Sequence, residues 1–139
     1  MRQLSADEAV RRALALDRSA TGYERTIDIT TIGARTGEAR RIETWFYRID
    51  GTIYLTGQPG RRGWYVNLKA NPALTLHLKH GVTADLQARA TPITATSERA
   101  RIFTEVLASQ PDNRDQAVDP AELERWLEGS PLVAVTLGA

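Results

Sequence analysis

The feature that most constrains this fold is a change of period. From Thr26 to Ala90 the chain repeats on two residues, the spacing of a strand, and holds that spacing through several short runs. Thr26, Asp28 and Thr30 alternate with Ile27, Ile29 and Thr31, as in a strand with one buried face. A second run, Arg41 to Asp50, carries Trp45, Phe46 and Tyr47. Asp50-Gly51 is a hairpin signal leading into a third run, Thr52 to Thr56. Further on, Leu74, Leu76 and Leu78 interleave with Thr75, His77 and Lys79, and Lys79-His80-Gly81 turns the chain. Val82, Ala84, Leu86, Ala88 and Ala90 then alternate with Thr83, Asp85, Gln87 and Arg89, and Leu132 to Leu137 supplies a last apolar strand. Strands joined mostly by tight turns pair antiparallel, and a sheet of this kind closes its edges as a barrel or a sandwich.

Helices flank the strand region, which makes the class α+β. Ser5-Ala6-Asp7-Glu8 reads as a capping box, followed by Val10, Ala13, Leu14 and Asp17 at helical spacing. Ser97 to Ser109 places Ile102, Phe103, Val106 and Leu107 on one face. Asp119-Pro120-Ala121-Glu122 reads as a second capping box with proline at the first helical position, and Gly129 as the cap at that helix's other end. The polar stretch Gln110 to Val118 connects the two. Residues 1–139 are read as one domain, a length sufficient for an independent core.

Several function classes are excluded early. The net charge is only +1, so wholesale nucleic-acid binding is not implied. The absence of cysteine removes disulfides, thiolate metal sites and thiol nucleophiles together. No apolar run reaches the length of a membrane span and no signal-peptide core is present, so a cytoplasmic location is expected. His77 and His80 lack a third partner for a metal, and no metal site is expected. Serines, threonines and acids show no histidine-centred arrangement, and no phosphate-loop or Gly-x-Gly-x-x-Gly signature occurs.

Chemistry concentrates between Gly57 and Pro72. Gly57, Gly60 and Gly63 with Pro59 set an unusual backbone path that allows close approach of a ligand. Arg61 and Arg62 add two permanent charges, and Trp64 and Tyr65 add flat faces at the start of a short helical turn. Exposed N–H groups, guanidinium groups and aromatic faces suit an aromatic anion. Upstream, Arg35 sits inside Gly33-Ala34-Arg35-Thr36-Gly37, and Arg40 and Arg41 open the next strand. Neighbouring strands are expected to bring this turn, the loop and Lys69 together as an anion site. Read alone, Trp64 also fits a core anchor, and Asn67 a side chain bonded to a turn's backbone.

The two stretches Gly33-Ala34-Arg35-Thr36-Gly37 with Arg40, and Gly63-Trp64-Tyr65-Val66-Asn67-Leu68-Lys69-Ala70-Asn71-Pro72, resemble the deazaflavin-dependent nitroreductase family, of mainly actinobacterial origin. The resemblance runs from about Thr30 to Leu107 and returns weakly at Pro131 to Leu137. It implies a small antiparallel split β-barrel of about six strands with flanking helices. It also implies coenzyme F420, a deazaflavin with a phosphate and an oligoglutamate tail. The implied activity is hydride transfer from the reduced coenzyme to quinones, nitro compounds or activated double bonds.

By that likeness Arg35 and Arg40, beside Thr36, would hold the acidic tail. The loop from Gly57 through Gln58, Pro59, Gly60, Arg61 and Arg62 would receive the phosphate, with Trp64 and Asn67 beside the coenzyme. Members commonly carry Ser-Lys-Gly-Gly in that loop and tyrosines near the C-terminus. Here the loop is shorter, Pro59 removes an N–H donor, and no tyrosine follows Tyr65. Tyr47, Tyr65 or water are the candidates for delivering a proton. FMN on the same kind of barrel is the enzymatic alternative, and a non-catalytic carrier of a hydrophobic ligand the other. The expected partner is a small-molecule substrate, without nucleic acid or membrane span. Trp45 and Tyr47 are read as exposed strand faces that would permit a homodimer, which nothing in the sequence demands.

Overall fold

The computed structural model describes residues 5–113 and 116–138. In chain order the elements are α1 (Ala6–Leu14), α2 (Gly22–Arg25), β1 (Thr26–Ile32), β2 (Ala39–Ile49), β3 (Thr52–Thr56), α3 (Gly63–Ala70), β4 (Ala73–Leu78) and β5 (Ala84–Pro92). They continue with α4 (Thr96–Ala108), a 3-10 turn at Pro111–Asn113, α5 (Pro120–Gly129) and β6 (Leu132–Leu137). Residues 114 and 115 of the polar connection lie outside the description.

The strands close a barrel in the order β1-β2-β3-β6-β5-β4, every neighbouring pair antiparallel. The β2–β3 hairpin turns on Asp50 (φ 50°) and Gly51 (φ 79°), the paired left-handed conformations its sequence signal requires. Closure depends on three long-range pairings. β1 meets β4 through Ile29 opposite Leu76, and β6 enters between β3 and β5 with Val135 opposite Ile53 and Ala90. Because direction alternates around the barrel, the ends of β1, β3 and β5 and the starts of β2, β4 and β6 share one rim.

Burial explains which strands alternate cleanly. Ile27, Ile29, Phe46, Leu55, Leu74, Leu76 and Val133 fill the barrel, and Trp64 and Leu68 of α3 close it from the rim. A second cluster lies outside, where Ile102, Phe103, Val106 and Leu107 of α4 and Trp126 of α5 cover Tyr47, Tyr54 and Leu132. β3 and β6 are therefore apolar on both faces, whereas β1 and β5 turn a polar face outward. Phe103 meets Trp126 edge to face, centroids 5.8 Å apart, which ties the two helices together.

Three local expectations change on inspection. Asp119 caps α5 by accepting from the Ala121 N–H at 2.9 Å, but Glu122 does not complete a capping box. It accepts from the Trp126 Nε1–H at 3.0 Å and pairs with Arg125, because the buried indole needs an acceptor one turn back. Gly129 is the last residue of α5 and not a left-handed cap, the helix ending at extended Ser130. Tyr47 is covered within the chain and Trp45 is half-buried. Tyr47 is 5% exposed, its hydroxyl accepts from Gln110 Nε2 at 2.9 Å, and the Arg25 guanidinium stands 4.6 Å from its ring. The Trp45 ring packs on Gly22 so closely that a Cβ there would fall 2.7 Å from Cζ2.

At α1 the first half of the expected box is present, with Ser5 Oγ accepting from the Glu8 N–H at 3.2 Å. The single turn of α2 was not anticipated, although its Thr21-x-x-Glu24 box is in the sequence and closes in both directions. Among the described residues no helix is long and apolar enough to cross a membrane.

The outer face of β1 gives a stability prediction. The Asp28 carboxyl is held below the usual carboxylate range, first by the Lys79 ammonium at 2.7 Å and, against the opposing effect of burial, also by Arg41 Nε at 3.0 Å. A folded pKa below the unfolded value of about 3.9 gives stabilisation present above that value and lost as pH falls through the folded one. Acid unfolding followed by circular dichroism is expected to show a shallower loss for Asp28→Asn than for the wild type below about pH 4. Parallel acid limbs would remove Asp28 from the account.

Candidate functional site

The shared rim brings the β1–β2 turn against the loop before α3. In the turn, the Gly33 N–H donates to Glu38 O at 2.8 Å and the Gly37 N–H to Gly33 O at 2.9 Å. Thr36 Oγ1 accepts from the Glu38 N–H at 3.1 Å and lies where a Gly33 side chain would sit, 2.5 Å from an added Cβ. Arg35 is thereby fixed on a tight and exposed turn.

Asn67 joins that turn to α3. Its Oδ1 accepts from the Ala34 N–H at 2.9 Å, and its Nδ2 donates to the buried Thr31 Oγ1 at 3.1 Å. The sequence reading of Asn67 as bonded to a turn's backbone describes this contact, although the turn lies thirty-three residues upstream. Arg35, Thr36, Arg40, Arg61, Val66 and Asn67 then line one cleft of about 200 Å³.

A wider cleft of about 660 Å³ opens on the other side of Arg61 and Val66. Its walls include Tyr65 and Lys69 of α3, Thr94 beyond β5, and Gly129, Ser130 and Pro131 where α5 passes into β6. Arg61 and Val66 line both clefts, so the two adjoin along the N-terminal half of α3.

The loop is stapled to that wall at two points. Thr56 Oγ1 donates to Pro131 O at 2.6 Å, and the Gly60 N–H donates to Gly129 O at 2.9 Å. Gly129 favours this approach, since a Cβ on it would lie 3.1 Å from Pro59 Cβ, a tight contact. The docking changes the donors that the loop offers. Pro59 has no N–H and that of Gly60 is already engaged, so an anion here meets Arg61 and the amino end of α3 instead. That helix end carries no side-chain cap.

The arginines are not equivalent. Arg62 folds back on the loop, donating to Arg61 O at 3.1 Å and Gln58 O at 3.0 Å, and it shapes the backbone. Arg40 has Glu38 at 3.6 Å, an exposed and weak pair. Among the described residues Arg35, Arg61 and Lys69 have no carboxylate partner, while Lys69 Nζ rests 4.7 Å from the Tyr65 ring centre. The two clefts thus carry an excess of positive charge, with Glu128 the one acidic residue in their linings. A third cleft of about 590 Å³ also holds three arginines, but there Arg18 pairs with Glu105, Arg101 with Asp50, and Arg48 bonds Leu14 O.

Of the remaining candidates, all but Tyr65 fall outside the two clefts. Trp64 is 7% exposed and packs in the barrel core, lining neither cleft. Gly57, Gln58 and Pro59 line neither cleft. Burial beneath α4 raises the Tyr47 phenol above its usual range and places it away from the rim. Tyr65 lines the wider cleft. His77 bridges Thr30 Oγ1 at 2.6 Å and Asp85 Oδ1 at 2.7 Å, and His80 stacks on Tyr23.

Sequence reasoning missed Arg99, Gly129 as a docking point, and Ser130. Arg99 donates to Ile93 O at 3.1 Å, Leu127 O at 3.0 Å and Ser130 O at 2.8 Å, and so holds the far wall in place. No local motif announces it.

Solved structures share the fold. Conserved hypothetical protein Rv2991 from Mycobacterium tuberculosis superposes with a TM-score of 0.65 at 19% identity, over 94% of this chain and 80% of that one. Protein Atu2129 from Agrobacterium tumefaciens gives 0.62 at 21%, over 98% of this chain and 58% of that one. An F420-H2 dependent reductase, FDR-A, gives 0.53 at 18%, over 81% and 94%. At these identities the likeness is one of fold. The family profile carries more, because it describes the sequence itself: over residues 6–122, a span that includes both motif stretches, this chain matches and belongs to the F420H(2)-dependent quinone reductase family.

Proposed function

We propose that the reduced coenzyme of this F420H2-dependent reductase lies along the joined groove. Its acidic tail rests at Arg35 and Arg40, its phosphate at Arg61 and the amino end of α3, and its ring system in the wider cleft beside Tyr65. What carries this reading is the sharing of Arg61 and Val66 by both clefts, since a long ligand needs a continuous path with charge at one end and room at the other. The donor set fits: uncompensated guanidinium groups suit carboxylates and phosphate. When bound, the coenzyme supplies the hydride, to a quinone, a nitro compound or an activated double bond. The protein's part is to fix the pose. Asn67 holds Arg35 in place through Ala34, the Gly129–Pro131 segment holds the loop, and Lys69 keeps positive charge near the cleft.

FMN carries a phosphate and a tricyclic ring but no acidic tail, so it leaves Arg35 and Arg40 without a ligand group. Purified protein titrated with both is therefore expected to bind F420 more tightly than FMN. Arg35→Ala and Arg40→Ala should each weaken the long-tailed coenzyme by about tenfold while leaving a tail-less analogue within about twofold. Tighter binding of FMN would overturn the cofactor placement, and equal losses for both analogues would remove the tail from Arg35 and Arg40.

A further inference from the structure

We infer that the Ser130 hydroxyl is the hydrogen-bond donor to a ring carbonyl oxygen of the molecule held in the wider cleft. The inference rests on the groove reading above and adds a specific contact to it.

Ser130 is 4% exposed, and its Oγ is a buried side-chain polar atom without a hydrogen-bond partner among the described residues. Such an atom is costly, because it has given up water without a replacement. Its surroundings show that the vacancy is local. The Ser130 N–H donates to Trp126 O at 3.0 Å, and its carbonyl accepts from Arg99 at 2.8 Å. The flanking residues are equally engaged, Gly129 O by the Gly60 N–H and Pro131 O by the Thr56 hydroxyl. Three consecutive residues thus build the wall of the cleft, and only the middle side chain is left uncommitted. That side chain reorients by rotation about the single χ1 bond, without moving the backbone.

The chemistry of the cleft narrows the occupant. Arg61 and Lys69 supply charge and Tyr65 an aromatic surface, while Ser130 supplies a neutral donor. Phosphates and carboxylates are drawn to the guanidinium groups; a neutral hydroxyl is matched to the carbonyl of a flat ring. Two molecules of the reaction carry one, the pyrimidinedione edge of the deazaflavin and the quinone acceptor. In either place the hydroxyl donates a hydrogen bond and no covalent change occurs at the serine.

Two titrations separate these sources. The first uses 8-hydroxy-5-deazariboflavin, which has the ring but neither phosphate nor tail, followed by its absorbance. The second uses menadione added to protein saturated with oxidised coenzyme, followed by calorimetry. Ser130→Ala and Ser130→Cys, the latter retaining the size of the side chain, are each expected to weaken one ligand about fivefold, the factor one neutral hydrogen bond is worth. A loss with the deazariboflavin assigns the carbonyl to the coenzyme, and a loss confined to menadione assigns it to the acceptor. Unchanged affinity for both overturns the inference. Thermal unfolding of the free protein is the control. A serine serving the fold would destabilise on removal, whereas Ser130→Ala is expected to melt at or above the wild-type temperature; a clear fall in both variants would likewise overturn it. If the wild type binds the full coenzyme and the variants match it throughout, only the serine contact fails. If the wild type does not bind the coenzyme at all, the groove reading fails and this contact with it.

Discussion

Arg99→Ala is expected to destabilise the protein by about 3 kcal/mol, the loss of three charge-assisted hydrogen bonds discounted for water reaching the freed carbonyls. The guanidinium spans Ile93 O, Leu127 O and Ser130 O, so it joins the end of β5 to the end of α5, and it also stands 5.0 Å from the Phe103 ring centre. Alanine removes all of these at once. Arg99→Lys is expected to recover only part, because one ammonium does not reproduce a planar fork directed at separate carbonyls. Urea unfolding of the three proteins measures this, and a wild-type midpoint in Arg99→Ala would show that the clamp adds nothing. The same variant should bind coenzyme more weakly even where it is fully folded. The carbonyl it frees belongs to Ser130, and the neighbours of Ser130 are the residues that staple the loop.

That dependence marks the limit of what the chain reveals before folding. The strands were legible because a half-buried strand must alternate, and Ile27, Ile29 and Thr31 point inward as their spacing requires. The hairpin was legible because Asp50-Gly51 tolerates positive φ at both positions. The meeting of the Arg35 turn with the Arg61 loop followed from alternating strand direction, and both residues do line one cleft. What stayed hidden was decided by contacts between residues far apart in sequence. Glu122 looked like the second half of a capping box until a buried indole one turn away claimed it. Gly129 looked like a helix cap, yet its lack of a side chain serves Pro59, seventy residues earlier. Arg99 and Ser130 lie in a helix and a loop of ordinary composition, and only the closing of α5 onto the rim gives them partners or withholds them. Sequence also weighted Arg61 and Arg62 alike, and the fold divides them.

From that division comes the largest expected effect on binding. Arg61→Glu should lower coenzyme affinity at least a hundredfold at low salt, whereas Arg61→Gln should cost only about tenfold. Arg61 lies in the wall common to both clefts and has no carboxylate partner among the described residues, so its charge is free to act on a ligand bound there. Reversal removes an attraction and installs a repulsion at the same point, and for an exposed side chain the effect should shrink as ionic strength rises and screening shortens to about 10 Å or less. Stability is the internal control. With an exposed side chain making no ion pair, Arg61→Glu should unfold within about 0.5 kcal/mol of the wild type. Arg62→Ala is expected to behave in the opposite sense. Its guanidinium is bonded to Arg61 O and Gln58 O, so its loss loosens the loop and weakens FMN and F420 alike, with little dependence on salt. Titrations of both variants at two salt concentrations compare them directly. If Arg61→Glu binds like the wild type, the phosphate does not lie where the two clefts meet, and a ligand path across Arg61 would have to be given up.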